Sequence, residues 1–134
     1  MTDGNGVPLG ALVTAGQRHE SASFEALMDT VNIGRRRRPD AVAGDKGYSY
    51  PRIRKWLSRR GIEAVIPSRS NQPPVKLNKR KYRRRNAVER CIGWLKCCRR
   101  IGTRYEKLAT HFLAMIKLAM IQRCLRLSDP SDRT

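Results

Sequence analysis

A chain of 134 residues is long enough to bury one core and short for several domains. Its 29 lysines and arginines against 11 acidic residues leave a formal net charge of +18, a self-repulsion that opposes compaction unless a polyanion neutralises it, so nucleic acid is the expected partner. No apolar run reaches about eighteen residues, and residues 1–9 lack a basic-then-apolar order, so neither a membrane span nor a secretory signal is expected and a cytoplasmic, nucleoid-associated protein is.

From the N-terminus, Asp3-Gly4-Asn5-Gly6 predicts a hairpin turn, because Asp-Gly and Asn-Gly tolerate the positive φ angles of tight turns. Val7, Leu9, Ala11 and Val13 alternate and predict a strand over 7–14, yet only Met1 and Thr2 precede the turn, so the chain is expected to open inside a hairpin. Ser21 predicts the cap of a helix whose Phe24, Leu27, Met28 and Val31 share one face and which ends near Gly34. The basic run Arg35 to Arg38 then leads through Pro39 into a short buried strand, Ala41-Val42-Ala43-Gly44, with Asp45 where the strand opens into a loop.

Pro51 predicts a helix start, Ile53, Trp56 and Leu57 its inward stripe, and Gly61 its stop, with a second strand over 62–66. Strand, helix and strand joined by short loops make a βαβ crossover with parallel pairing. Residues 68–78, with Pro73-Pro74, predict an exposed loop whose ordering awaits a ligand. Two helices are expected to finish the chain: one over 79–100, and one over 111–127 behind Thr110, apolar around most of its circumference and so sandwiched in the domain or at an interface. The fold class expected is α/β, one domain over 1–127 with a disordered tail over 128–134. Cys91, Cys97, Cys98 and Cys124 lack zinc spacing and are expected as reduced, half-buried thiols.

On a continuous penultimate helix, at about 100° per residue, Tyr82, Arg85, Glu89 and Lys96 fall within roughly 60° of one another. A stripe of Val88, Ile92 and Leu95 beside them would set Glu89 at the core edge, within reach of Asp45. Two carboxylates under a positive surface suit a divalent-metal nuclease or strand transferase, since Mg²⁺ takes oxygen ligands and bridges them to phosphate. The same spacing also fits ordinary ion pairs of Glu89 with Arg85 or Arg90 on a solvated face. His19 with Glu20, and His111, read as polar loop and helix-start residues; Trp56 and Trp94 read as packing residues.

The segment Tyr82 to Lys96, with Arg85 and Glu89 between, resembles the Tyr-x2-Arg-x3-Glu-x6-Lys signature of DDE transposases of bacterial insertion sequences, of the insertion sequence four or five type. Thr2 to Leu9, Gly16 to Ser21, Ala43 to Tyr48 and Arg99 to Lys107 are similar to successive blocks of that family, in the same order. The resemblance implies an RNase-H-like core, here incomplete, with a mixed sheet, followed by the two C-terminal helices. It implies two Mg²⁺ ions held by Asp, Asp and Glu, with Asp45 as the second aspartate and Glu89 as the glutamate. Tyr82, Arg85 and Lys96 match the positions that contact DNA near the cut end.

The family's first aspartate lies upstream of the Thr-Asp-Gly block, where this chain begins, and Asp3 is a turn residue, not its replacement. The chain alone is therefore expected to bind metal poorly and to be inactive, as the product of a truncated gene or of one of two overlapping frames. Expected partners are double-stranded DNA, further copies of the chain on DNA, or an upstream-frame product. The rival from another class is a non-enzymatic basic DNA-binding protein derived from a transposase; a general RNA-associated protein accounts for the charge but not for Asp45 or the Tyr82 to Lys96 spacing.

Overall fold

A computed structural model describes residues 1–35 and 38–128, and these fall into two compact units, Gly16–Arg85 and Met1–Ala15 with Asn86–Thr134. The expected tail lies outside the described residues apart from Ser128, which ends the last helix.

The Gly16–Arg85 unit contains the predicted crossover. Strand β1, Ala41–Ala43, pairs in parallel with β2, Glu63–Val65, in the register Ala41 to Glu63 and Ala43 to Val65. Between them runs α2, Pro51–Arg59, started by Pro51 in its first turn and followed by Gly61 at φ +66°. Ile53 and Leu57, one turn apart on α2, are completely buried, and with Val65 and Ile66 they form the centre of the core. Phe24 and Met28 of α1, Phe24–Asp29, close it from another side, and the Phe24 ring meets that of Trp56 edge-on at 5.7 Å. Trp56 is thus a packing residue, with the Arg60 guanidinium 3.8 Å over its ring.

Two local expectations change here. Ser21 is not the helix cap: His19 caps a 3-10 turn, Glu20–Ser23, with its Nδ1 accepting from the Ser21 amide at 3.3 Å, and α1 follows and stops at Asp29, well before Gly34. Ser21 is instead buried, with its hydroxyl 2.9 Å from the same imidazole nitrogen. The 68–78 loop is anchored as well: Gln72 bonds to Ser49, and the Ser68 hydroxyl donates to the Pro73 carbonyl at 2.8 Å.

The helix expected over 79–100 is broken. Helix α3, Lys79–Arg83, belongs to the same unit as the crossover; α4, Asn86–Cys97, and α5, Arg99–Gly102, belong to the other. Six of the seven residues 79–85 are cationic, and like charges three and four apart on a helix repel. The turn closes with i to i+3 bonds, Arg84 N–H to Lys81 O and Arg85 N–H to Tyr82 O, and the helix ends there.

In the second unit the hairpin turn forms as expected. Thr2 bridges Pro8 antiparallel, and Asp3 Oδ1 accepts from the Asn5 and Val7 amides, each at 2.8 Å, which makes Asp3 the turn residue foreseen. Regular pairing ends at that bridge, so the strand expected over 7–14 is not formed among the described residues. Helix α6, Ala109–Ser128, begins slightly before the expected Thr110 cap. The buried side of α4 carries Ala87 and Cys91, whereas Ile92, expected inside, is 46% exposed. On α6 only Ala119 is buried, and Leu118, Ile121 and Leu125 are exposed, so the helix is not sandwiched within this chain.

Candidate nucleic-acid and carboxylate site

Asp45 lies one residue beyond β1, after Gly44, and caps the 3-10 turn Lys46–Tyr48, its Oδ1 accepting from the Gly47 amide at 2.8 Å. The carboxylate is exposed, and the strand before it is not the buried one expected, since Ala41 and Val42 are half-buried and Ala43 is exposed. A Cβ on Gly47 would lie 2.8 Å from the same Oδ1, so any larger residue there would push the carboxylate aside. Beside it, the Tyr48 phenol donates to Glu20 Oε2 at 3.4 Å, and its pKa is pushed up to about 12, first by burial and then by the negative charges of Glu20 and Asp45.

Tyr82 lies on α3 and Arg85 just beyond its end; both are half-buried, and the guanidinium sits 5.6 Å from the Tyr82 ring centroid. These two candidates are therefore brought together, by a cation–π contact across the closing turn and not by a shared helical stripe. Lys81 on the same helix pairs with Glu63 of β2, tying the basic segment to the sheet.

Glu89 and Lys96 both lie on α4 and are exposed. Seven residues apart, they share a face, about 10 Å apart along the axis. Lys96 stands at the rim of a shallow hollow between α4, α5 and α6 whose walls include Ile92, Leu95, Phe112 and Ile116. The hollow depends on a close backbone approach: a Cβ on Gly102 would lie 2.3 Å from the Lys96 carbonyl oxygen. The expectation of one face for Tyr82, Arg85, Glu89 and Lys96 is thus corrected, since the helix break places the first two in one compact unit and the last two in the other.

Residues that sequence reasoning missed cluster behind Asp45. Arg69 donates to the carbonyls of Lys46 and Gly47, Gln72 engages Ser49, and Ser49 is completely buried. Only the segment's polarity was visible in sequence, because these partners are separated by more than twenty positions. Of the thiols, Cys91 is buried and its pKa is raised by that burial; Cys97 is exposed, and Cys98 and Cys124 are half-buried. No helix among the described residues is long and apolar enough to cross a membrane.

Comparison with known proteins follows this geometry. A family model described as a transposase DDE domain matches residues 42–126, from within β1 into the last turn of α6. A Burkholderia cepacia protein, named as a transposase for insertion sequence element IS402, is 34% identical over 140 residues, covering 98% of this chain. The chain spans 64% of that relative's length. No solved structure matches. With the family model matching 42–126, well over half of the chain and a span that includes Asp45 and all of α4 with Glu89 and Lys96, the chain belongs to the DDE transposase family.

Proposed function

We propose that residues 1–127 form part of the catalytic domain of a DNA transposase, of the insertion sequence four or five type with an RNase-H-like core, that cuts and joins the ends of an insertion element. The observation that carries this reading is identity of 34% running over 98% of the chain. Likeness confined to the basic segments could reflect composition alone; likeness through the hairpin turn, the crossover and the last helix does not. The charge of +18 suits double-stranded DNA, whose phosphates would neutralise it and allow several copies to assemble on one duplex.

Asp45 and Glu89 are assigned as two carboxylates of the catalytic site. Their oxygens are the donor type that Mg²⁺ takes. Their number falls short: among the described residues no three His, Cys, Asp or Glu side chains group so as to hold a metal ion. The family pattern puts a third carboxylate upstream of Thr2 in the complete enzyme. In the complete enzyme the chemistry supplied at this site is two-Mg²⁺ activation of water or a DNA 3′-hydroxyl against a phosphodiester. Tyr82, Arg85 and Lys96 are assigned to the DNA backbone near the cut, where cations neutralise phosphates and a phenol stacks or hydrogen-bonds.

The charge of +18 by itself also suits a second reading, a DNA-binding protein that occupies element ends without cutting them. One experiment separates the two: Mg²⁺-dependent nicking of element-end DNA by this chain and by a version extended upstream to include the third carboxylate. Nicking by the extended form alone, abolished by Glu89→Gln or Asp45→Asn, is the expected result. An extended form that binds and stays inert establishes the second reading, and activity unaffected by Glu89→Gln overturns the assignment.

A further inference from the structure

The turn that presents Asp45 is gripped from behind by one loop. Arg69 donates from Nε to the Lys46 carbonyl at 3.0 Å and from a terminal guanidinium nitrogen to the Gly47 carbonyl at 3.3 Å. Its guanidinium also lies 4.5 Å over the Tyr50 ring. A planar, forked donor can meet two neighbouring carbonyls and a ring face together, which an ammonium on a flexible stem cannot. Gln72 holds the other end of the turn: its Nε2 donates to the Ser49 carbonyl, while its Oε1 accepts from the Ser49 hydroxyl and, at 3.3 Å, from the Arg69 amide. Ser49 is completely buried, so this pair of bonds is shielded from competing water.

The consequence falls on Asp45. Among the described residues its side chain is fixed through the turn, by the Gly47 amide on Oδ1, and Arg69 holds both the peptide unit that carries that amide, at the Lys46 carbonyl, and the next one, at the Gly47 carbonyl. Movement of residues 46–47 would carry the carboxylate with it. We infer that Arg69 and Gln72 are positioning residues for Asp45, holding its turn in one conformation before DNA arrives. The inference rests on the reading of Asp45 as a catalytic carboxylate.

The test has a structural arm and a functional arm. In this chain, Arg69→Ala and Gln72→Ala are expected to speed hydrogen exchange at the Gly47 amide by at least about tenfold while exchange within α2 stays as in the unsubstituted chain. Unchanged exchange at Gly47, or exchange raised equally through β1, α2 and β2, overturns the inference, the second because it marks a general staple of the unit. In the upstream-extended form, both substitutions should lower the nicking rate by about a hundredfold, the scale of a small misplacement of a catalytic group, without weakening DNA affinity. Arg69→Lys should recover only part of it. A rate loss matched by lost affinity in Arg69→Ala but absent in the uncharged Gln72→Ala would make Arg69 a phosphate contact, and overturn the positioning role. Asp45→Asn distinguishes the layers: if it leaves nicking unchanged, the catalytic reading of Asp45 itself has failed; if it abolishes nicking while Gln72→Ala and Arg69→Ala do not lower it, only the positioning inference has.

Discussion

The Gly47 amide nitrogen lies 2.8 Å from Asp45 Oδ1, and a methyl group on Gly47 would meet that same oxygen at 2.8 Å. Amide and carboxylate can bond only while the intervening space is empty. Gly47→Ala is expected to push the carboxylate off its cap at a cost of about 1 kcal/mol, the usual value of such a bond. A urea midpoint that falls with no change of slope checks it; an unchanged midpoint contradicts the cap.

Gly102 poses a harder version of the same constraint, because the atom its Cβ would meet, at 2.3 Å, is the backbone oxygen of Lys96, which no rotamer change can move. Gly102→Ala should therefore cost roughly 1–3 kcal/mol and loosen the junction of α4 and α5. Gly16→Ala, with nothing within 4 Å of the added carbon, is the matched control and should leave the denaturation midpoint in place.

Burial separates two leucines of similar sequence environment. Leu57 is 0% exposed and Leu118 is 59% exposed. Leu57→Ala should destabilise the crossover unit by about 2–5 kcal/mol, whereas Leu118→Ala should stay within about 0.5 kcal/mol, since it leaves no cavity. Thermal or chemical denaturation of the two variants in parallel would reveal a reversed order, should the burial be wrong.

Duplex DNA affinity should fall steeply with salt as condensed counterions are displaced. Arg85→Ala and Lys96→Ala should each flatten the slope of log affinity against log salt by roughly 0.9, one phosphate contact apiece. Titrations at several salt concentrations measure this. A slope untouched by either substitution would remove that residue from the proposed interface.

The raised pKa of Tyr48, at about 12, means that the folded state favours the neutral phenol. Its contribution to stability is whole below the ordinary tyrosine value near 10 and is lost as pH climbs through the folded value. Tyrosinate absorbance followed against pH should show a late component that Tyr48→Phe removes. Glu20→Gln should bring that component earlier without erasing the shift, because burial is the larger cause.

The crossover was legible in sequence because its signals are local and agree: Pro51 opens α2, Gly61 follows it, and Ile53 and Leu57 lie one turn apart between two apolar runs. The hairpin turn was legible for the same reason, and so was Asp45 at a strand end. Periodicity misled over 79–100, because it counts spacing through residues 84 and 85 and does not weigh the repulsion that stops the helix there. It also set Ile92 inward as part of an apolar stripe with Val88 and Leu95, whereas the small Ala87 and the thiol of Cys91 occupy the buried side of α4. The grip of Arg69 and Gln72 left no trace in spacing, since it joins side chains to carbonyls more than twenty residues distant. For the candidate site, sequence identified the chemical groups; the structure supplies the supports of Asp45 and the pairing of Tyr82 with Arg85.

The bare side of α6, with Leu118, Ile121 and Leu125 open to water, sits in a molecule whose copies repel one another through a charge of +18. Repulsion of that kind weakens in concentrated salt, where screening acts within about 3 Å at 1 M. Brine strong enough to screen that charge removes what keeps these greasy helices from meeting, so a concentrated preparation should cloud on standing in it unless detergent is added.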